Sequence, residues 1–311
     1  MHLIRFKFIF LSLLVVVTSC TTDDLNTKIT QDSDYTIAIK NAISEFSATS
    51  KFSSSKAIFE DLPYGRHSQQ VYDIYLPEGH STNKTKVIIL LHGGGWINGD
   101  KTGMEKYISN IQERNPEHAI VNMNYVLANQ QTPAFPNQFN DLHTLIKVLY
   151  NNHEELQIKP EFGLIGASAG AHIAMMYDYT YDRNHLVKFV CSMVGPTDFT
   201  DPFYENRPDF EQLMDMLVDE NKYPNISENL EVLSPAYQID QNTSPTIMFY
   251  GLNDPIVPIN NAYVLKEELD DNNIDKSLHT YSGGHNNWTE ADYEDLHNEL
   301  ALFIDEHLNI E

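Results

Sequence analysis

Cysteine is scarce in this chain, which has two among its 311 residues, Cys20 and Cys191. Two cysteines exclude a cysteine-based zinc site. Cys191 lies in an apolar stretch, residues 187–194, that has the pattern of a buried strand. We therefore interpret Cys191 as a small buried apolar residue rather than as a reactive thiol.

Basic residues are also few. The sequence holds 20 lysines and arginines against 44 aspartates and glutamates, so its formal net charge is −24 at pH 7. A negative field of this size repels phosphate groups. We therefore expect no binding to nucleic acid and no attraction to anionic lipids, whereas a small neutral molecule or a glycan would not be repelled.

The N-terminal apolar run is too short to span a bilayer comfortably. It covers residues 8–17, is interrupted by Ser12, and follows Arg5 and Lys7, which is typical of a signal peptide. Residues 17–20, Val-Thr-Ser-Cys, resemble a bacterial lipoprotein box. The resemblance implies cleavage before Cys20 and attachment of lipid to its thiol and its new amino group. An ordinary secretory signal that is cleaved near the same place is the alternative.

These features divide the chain into three predicted parts. A lipoprotein signal peptide covers residues 1–19, a tether rich in Ser, Thr, Asp and Asn covers 20–57, and the main folded domain covers 58–311. The lipidated protein would lie in the bacterial cell envelope, outside the cytoplasm. It would contact the membrane only through its lipid, and Cys191 would have no disulfide partner.

From about residue 71 the sequence alternates between strand-like and helix-like patterns. Apolar runs predict strands at 71–76, 86–91, 119–126, 162–165, 187–194, 246–251 and 277–281, and helical spacing predicts helices at 137–155, from 169, at 260–272 and across 293–304. Continuous apolar runs are typical of parallel strands that are covered on both faces. The alternation predicts one α/β domain with a mostly parallel, doubly wound sheet and helices on both faces. The acidic segment 199–233 interrupts the alternation and is predicted to be a small cap insertion with one helix.

A Gly-x-Ser-x-Gly motif, residues 166–170, lies between a predicted strand and a predicted helix. A strand that turns at once into a helix forces its middle residue into a strained conformation and needs small neighbours. Such a turn exposes the Ser168 hydroxyl at its tip, in front of a helix N-terminus that favours negative charge. Ser168 is therefore a candidate nucleophile.

A serine nucleophile needs a base and an orienting acid, which in this arrangement follow it in the order acid, then histidine. Asp254 and His285 each come just after a predicted strand, at the carboxyl edge of the sheet, where such sites form. Pro255 restricts the first of these loops, and two glycines precede His285. Asp198 is a rival acid, but its Gly-Pro-Thr-Asp context favours a structural role.

Residues 92–96, His-Gly-Gly-Gly-Trp, directly follow an apolar strand. Glycines at such a place allow backbone N–H groups to point at a developing oxyanion, and Ala169, the residue after the serine, supplies another N–H group. No Gly-Lys-Ser or Gly-Lys-Thr follows the glycines, which excludes a Walker phosphate loop. His92 is interpreted as a residue that braces this loop.

Together these motifs resemble those of the α/β-hydrolase superfamily. More narrowly, they resemble carboxylesterases of the hormone-sensitive-lipase-like group and its bacterial relatives, which include acetyl xylan and feruloyl esterases. The resemblance covers residues from about 70 to 308 and implies the α/β-hydrolase fold. It implies these roles: Ser168 as nucleophile, His285 as general base and acid, Asp254 as orienting carboxylate, and Gly94, Gly95 and Ala169 as oxyanion-hole donors. One departure is Val126, where relatives often carry arginine.

The function that this resemblance implies is hydrolysis of carboxylic esters through an acyl-serine, without metal or cofactor. The expected substrates are small or carbohydrate-linked esters, such as acetyl and feruloyl esters. An arylformamidase or amidase of the same fold is the alternative, because small relatives with His-Gly-Gly-x-Trp loops cleave N-formyl groups; a serine exopeptidase is a further one. A catalytically inactive binding protein normally lacks a member of the triad, and a structural lipoprotein would not need a glycine loop matched to Ser168.

Overall fold

An eight-stranded sheet forms the centre of the molecule. The computed structural model describes residues 36–41, 43–44 and 56–310. The strands are β1 (Ala57–Pro63), β2 (Val71–Leu76), β3 (Val87–Leu91), β4 (Ala119–Met123), β5 (Phe162–Ala167), β6 (Val187–Met193), β7 (Thr246–Gly251) and β8 (Lys276–Tyr281). Their order in space is β1-β2-β4-β3-β5-β6-β7-β8. β2 is antiparallel to β1 and β4, and the other neighbouring pairs are parallel.

Helices connect the strands and flank the sheet. The α-helices between residues 56 and 310 are α1 (Glu105–Arg114), α2 (Asn137–Asn151), α3 (His153–Leu156), α4 (Ala169–Thr180), α5 (Pro202–Glu205), α6 (Phe210–Leu217), α7 (Asn260–Asp271) and α8 (Glu290–His307). Short 3₁₀ helices occur at Lys101–Met104, Ile226–Glu228, Leu230–Leu233 and Pro235–Gln238.

Both faces of the sheet are buried, because alternate side chains of a strand point to opposite faces. In β3, Val87, Ile89 and Leu91 pack into the core that contains α2, α4 and α7. Ile88 and Leu90 pack into the core that contains α1 and α8. All five side chains are fully buried. The predicted doubly wound α/β architecture is therefore confirmed.

Most predicted elements lie within a few residues of the observed ones, with two differences in length. The single helix predicted at 137–155 is wrong: α2 ends before Asn152, whose side chain donates to the Val148 carbonyl (2.8 Å), and α3 then begins. The strand predicted at 119–126 ends at Met123. The Asn124 N–H still donates to the Val71 carbonyl of β2 (3.0 Å), but its own carbonyl accepts from the Tyr64 hydroxyl (2.6 Å) instead of from a strand.

Two elements have no counterpart in the sequence prediction. β1 is an edge strand whose pairing with β2 shifts register between Phe59 and Leu62, where Asp61 has a φ of 52°. This irregularity breaks the alternation that marks a strand. α1 is a polar surface helix, and its apolar stripe is short because only three of its ten residues are buried.

The segment between β6 and β7 contains α6, which is the one helix predicted within 199–233. It also contains α5 and three short 3₁₀ helices, which the prediction lacks. α5 has its own start signal, because the Asp201 carboxylate accepts from the Phe203 N–H (2.8 Å) and Pro202 occupies the first turn. We call residues 199–233 the cap segment.

Part of the predicted tether packs on the core. Residues 36–41 and 43–44 are helical, Ile39 is fully buried, and Lys40 forms a salt bridge with Glu155 (3.0 Å). Among the described residues, no helix combines the length and apolar character needed to cross a membrane. The predicted signal peptide and Cys20 lie outside the described residues.

Candidate active site

Ser168 lies at a sharp turn between β5 and α4, where the Gly-x-Ser-x-Gly motif predicts one. It has φ 53° and ψ −118°, a region that residues with a side chain rarely occupy. Gly170 allows the tight packing of this turn, because a Cβ on it would lie 2.3 Å from the Leu91 carbonyl oxygen. The Ser168 side chain is consequently held outside the helix, with its hydroxyl partly exposed.

The structure brings Ser168, His285 and Asp254 together in one hydrogen-bonded chain. His285 Nε2 lies 3.0 Å from Ser168 Oγ, and His285 Nδ1 lies 2.6 Å from Asp254 Oδ2. An ionised carboxylate only accepts hydrogen bonds, so Nδ1 carries the proton and Nε2 presents a lone pair to the serine hydroxyl. Such a lone pair can take the hydroxyl proton when Ser168 attacks.

The Asp254 carboxylate is fully buried, so its orientation depends on its partners. Its second oxygen, Oδ1, accepts from the N–H groups of Ile256 (2.8 Å) and Val257 (3.0 Å). Both bonds come from the loop that follows β7, so the turn around Pro255 itself fixes the acid. Oδ2 is then left free to orient His285.

The loop that carries His285 is held by residues to which the sequence analysis assigned no role. Trp288 Nε1 donates to the Gly284 carbonyl (2.8 Å), and the Asn287 side chain accepts from the Gly284 N–H (2.6 Å). The Tyr293 hydroxyl donates to the Asn286 carbonyl (3.0 Å). Asn286, Asn287 and Trp288 follow His285 directly in sequence. Their polar and indole N–H groups are the signal from which a role in holding this loop could have been predicted.

The glycine loop after β3 approaches Ser168. Gly94 has a φ of 128° and Gly95 a φ of 59°. In the part of the chain that the structure describes, no backbone acceptor is found for the N–H groups of Gly94, Gly95 and Ala169. These are the three N–H groups that the sequence predicts to stabilise an oxyanion, and each is available to an oxygen atom of a substrate.

His92 braces this loop, as its position suggests. Its Nδ1 donates to the Gly93 carbonyl (2.7 Å), and its ring stacks on Tyr125 at 4.3 Å. The Tyr125 hydroxyl donates to the His92 carbonyl (2.8 Å). Burial lowers the pKa of His92, which keeps the ring neutral. Beside Tyr125, the Val126 N–H donates to the buried Asp141 carboxylate (2.7 Å).

His172 joins the cap segment to the helix that Ser168 begins. It lies one turn into α4, and its Nε2 donates to the Leu233 carbonyl (2.8 Å). Burial lowers the pKa of His172 to about 4, so the ring is neutral at pH 7. The ring also contacts Phe199 (5.1 Å) and Trp96 (5.4 Å), which connects the cap segment to the glycine loop.

A cavity of about 430 Å³ opens beside Ser168 and His285. Its size falls within the usual range for small-ligand pockets, about 300–1,000 Å³. Aromatic residues Tyr107, Trp288 and Tyr293 line it, together with Lys106 and Asp100.

The other titratable residues considered do not take part in the hydrogen-bonded chain of Ser168, His285 and Asp254. Asp198 Oδ1 accepts from the Thr200 N–H (2.8 Å) and hydroxyl (2.6 Å), which closes its own turn. Cys191 is a free, buried thiol in β6 whose pKa is raised by burial. Asp275, Glu306 and His307 form a possible metal-ligating group, but Asp275 precedes β8 and therefore lies at the opposite edge of the sheet from Ser168.

Comparisons with known proteins identify relatives of this chain. The family model described as BD-FAE matches residues 72–269. The chain is 21% identical over 218 residues to esterase LipC of Mycobacterium tuberculosis, an alignment that covers 66% of this chain and 53% of LipC. The chain spans about half the length of the curated relatives it matches.

Two solved structures illustrate the likeness of fold. A bifunctional GH43-CE protein of Bacteroides eggerthii superposes with a TM-score of 0.66 and 20% identity, over 80% of this chain and 38% of that one. An acetyl ester-xyloside bifunctional hydrolase from Caldicellulosiruptor lactoaceticus superposes with a TM-score of 0.64 and 17% identity, over 84% of this chain and all of that one (100%).

Proposed function

The chain belongs to the BD-FAE family and has the α/β-hydrolase fold, and from this premise we propose that it is a serine hydrolase of carboxylic esters. The observation that carries the proposal is the hydrogen-bonded chain from Ser168 through His285 to Asp254. Nearby are three backbone N–H groups for which the described residues provide no backbone acceptor. The curated relatives carry the names of esterases, which supports the same reaction.

The proposed reaction begins when Ser168 Oγ attacks the ester carbonyl while His285 Nε2 takes the hydroxyl proton. The N–H groups of Gly94, Gly95 and Ala169 stabilise the negative oxygen of the tetrahedral intermediate. His285 then gives its proton to the leaving alcohol, and an acyl-serine forms. Water, deprotonated by His285, attacks the acyl-serine and releases the acid and the free Ser168 hydroxyl.

The proposed substrates are small or carbohydrate-linked esters, such as acetyl and feruloyl esters of glycans. Support comes from the structural neighbour whose name includes an acetyl ester-xyloside hydrolase. Acetylated xylan, feruloylated arabinoxylan and N-formyl-kynurenine, assayed side by side, separate a glycan esterase from an arylformamidase.

The first test is hydrolysis of p-nitrophenyl acetate by the protein and by its Ser168→Ala variant. We expect the variant to lose at least about 10³-fold in kcat, because the nucleophile is removed. Equal turnover by the two proteins would overturn the proposal.

Asp254→Asn and Asp198→Asn form a matched pair for the acid. We expect Asp254→Asn to lower kcat by about 10³–10⁴-fold, because an amide at this position favours the wrong tautomer of His285. Asp198→Asn should change kcat by less than tenfold, because Asp198 bonds to Thr200 rather than to His285. The opposite ranking of the two variants would assign the acid to Asp198.

We also propose that the protein acts at the bacterial cell envelope, outside the cytoplasm and anchored through lipid on Cys20. The Val-Thr-Ser-Cys sequence at residues 17–20 and the preceding apolar run support this location. A strongly acidic chain gains no attraction to anionic lipid, so the covalent lipid would supply the membrane contact.

A further inference from the structure

The cavity beside Ser168 is lined in part by His285, the residue that would protonate the leaving alcohol. His285 must deliver a proton to the leaving alcohol, so the alcohol part of an ester lies on the His285 side of Ser168. The cavity is lined by His285 itself and by Asn286, Trp288 and Tyr293, which follow it in the chain. His92 and Gly93 of the glycine loop line another part of the cavity, whereas Gly94, Gly95 and Ala169 are not among its lining residues. The part of the cavity around His285 therefore meets the alcohol part of the substrate.

Lys106 contributes a cation to this cavity. Its Nζ lies 4.9 Å from the ring centre of Tyr107 and 4.6 Å from that of Tyr293. Contacts of this kind stabilise an ammonium group. Lys106, Tyr107 and Tyr293 all line the same cavity, so the ammonium is held at its wall.

The charge of Lys106 is not neutralised by the protein. Within the described ranges, no carboxylate lies within 4.0 Å of Lys106 Nζ, whereas Lys101 in the preceding turn forms salt bridges with Asp61 and Asp73. Lys106 is an exposed residue, and partial desolvation lowers its pKa. Its ammonium is therefore within reach of a ligand in the cavity. An unpaired cation is an unusual feature beside the nucleophile of a chain with net charge −24.

Asp100 is the carboxylate that lines the same cavity, and both of its oxygens are engaged. Oδ1 accepts from the Thr102 N–H (2.9 Å), and Oδ2 accepts from the Asn124 side chain (2.7 Å). Burial opposes its ionisation, but these hydrogen bonds outweigh burial and lower the pKa of Asp100. The cavity therefore combines a fixed anion, an unpaired cation and three aromatic rings.

We propose that Lys106 binds a carboxylate on the alcohol part of the ester, so that the preferred substrate class is acyl esters of carboxylated alcohols such as uronic acid sugars. This inference rests on the proposed ester hydrolysis. The rings of Tyr107, Trp288 and Tyr293 suit the apolar face of a sugar, and the ammonium of Lys106 pairs with its carboxylate. Because the Tyr293 hydroxyl also holds the Asn286 carbonyl, a ligand at Lys106 contacts the same ring that supports the His285 loop.

The test compares 4-acetoxybenzoate with 4-acetoxybenzamide, which share the acetyl group and differ in the charge of the alcohol part. The measured quantity is the ratio of kcat/KM for the benzoate to kcat/KM for the benzamide. We expect Lys106→Met to lower this ratio about fivefold, chiefly through KM for the benzoate, because one partly shielded ion pair is lost. Lys106→Arg should retain most of the ratio.

Lys188→Met is the matched control for net charge. Lys188 lies at the start of β6, at the edge of the sheet opposite Ser168, and its removal should leave the ratio unchanged. A second readout is inhibition of p-nitrophenyl acetate hydrolysis by D-glucuronate and by D-glucose. Glucuronate should inhibit the wild type more strongly than glucose does, and Lys106→Met should remove the difference.

An unchanged ratio in Lys106→Met, or an equal fall in Lys188→Met, would overturn the inference while leaving ester hydrolysis intact. If the proposed ester hydrolysis itself were wrong, the result would differ: the Ser168→Ala variant would hydrolyse 4-acetoxybenzamide as fast as the wild type. A general field effect of the acidic protein would lower the ratio equally in both lysine variants.

Discussion

Gly94 and Gly95 are neighbours in one loop but have different surroundings. At Gly94, with φ 128°, a Cβ would lie 1.9 Å from the Asn98 carbonyl oxygen. At Gly95, with φ 59°, no atom would lie within 4 Å of a Cβ. Gly94 therefore has both a steric and a conformational need for glycine, whereas Gly95 has only the conformational one.

We expect Gly94→Ala to lower kcat for p-nitrophenyl acetate by about 10²–10³-fold, because the loop must shift and an oxyanion donor is displaced. Gly95→Ala should cause a smaller loss, since alanine in the left-handed region costs about 1–2 kcal/mol without a clash. Steady-state kinetics and the melting temperature of each variant provide the measurement. Equal losses in the two variants would contradict this assignment of the loop.

The candidate triad residues could be selected one by one because each lies in a distinctive local sequence. Ser168 has flanking glycines, Asp254 precedes a proline, and His285 follows two glycines, each after an apolar run. Lys106 has no such signal. The role that we propose for Lys106 depends on its contact with the ring of Tyr293. Tyr293 lies far away in the sequence, and only folding brings the two residues together.

At the scale of elements, α4 connects the site to the interior of the molecule. It begins directly after Ser168, and eleven of its residues are buried, from Ala169 to Tyr179. Near its end, the Asp178 carboxylate accepts from the N–H (3.0 Å) and the hydroxyl (2.8 Å) of Ser244, just before β7. Asp178 thus links the helix that follows Ser168 to the strand that leads to Asp254.

Asp178 gives a prediction for the dependence of stability on pH. Burial raises its pKa from 3.8 to about 7, and the Ser244 hydrogen bonds offset only part of this effect. The folded state therefore binds more protons than the unfolded state between about pH 4 and 7, so the contribution of Asp178 to stability is lost as pH rises through this window.

We expect the free energy of unfolding of the wild type, relative to Asp178→Asn, to fall by up to about 1.4 kcal/mol per pH unit in that window. Urea unfolding at several pH values measures it. The exposed Asp271 provides the control, since Asp271→Asn should show no comparable trend. A difference that is flat for Asp178→Asn, or that rises with pH, would contradict the prediction.

Elements with a strong apolar period could be predicted, and those without one could not. β2 and β7 match their predicted bounds because their apolar runs are bounded by clear breaks in the sequence. β1 was missed because its bulge at Asp61 disrupts the alternation. α1 was missed because it contributes few apolar residues, although it carries Lys106 and Tyr107 into the cavity.

At the scale of the whole molecule, the candidate site is assembled from loops at one edge of the sheet. The glycine loop follows β3, Ser168 follows β5, Asp254 follows β7 and His285 follows β8. These strands are parallel, so their carboxyl ends meet on the same side. Ser168 and His285 are separated by 117 residues in sequence yet are joined by one hydrogen bond.

The proposed anchoring of the whole chain can be tested by metabolic labelling in bacterial cells that express it. We expect radiolabelled palmitate to be incorporated into the wild type and into Cys191→Ala, because Cys191 is buried. Cys20→Ala should carry no label, because the lipid would be attached to that thiol and to the amino group that cleavage exposes. Label that persists in Cys20→Ala, or is missing from the wild type, would disprove lipidation at this residue.

The sequence by itself determined the α/β class, the identity of the candidate triad and the position of the glycine loop. These depend on local apolar runs and on glycine, serine and proline patterns that need no distant partner. The tertiary structure decided how Asp254 is oriented, how the His285 loop is held and which side chains line the cavity. Those features depend on contacts between β7, β8, α1 and α8. These elements are far apart in the sequence, and the order of the strands in the sheet brings them together.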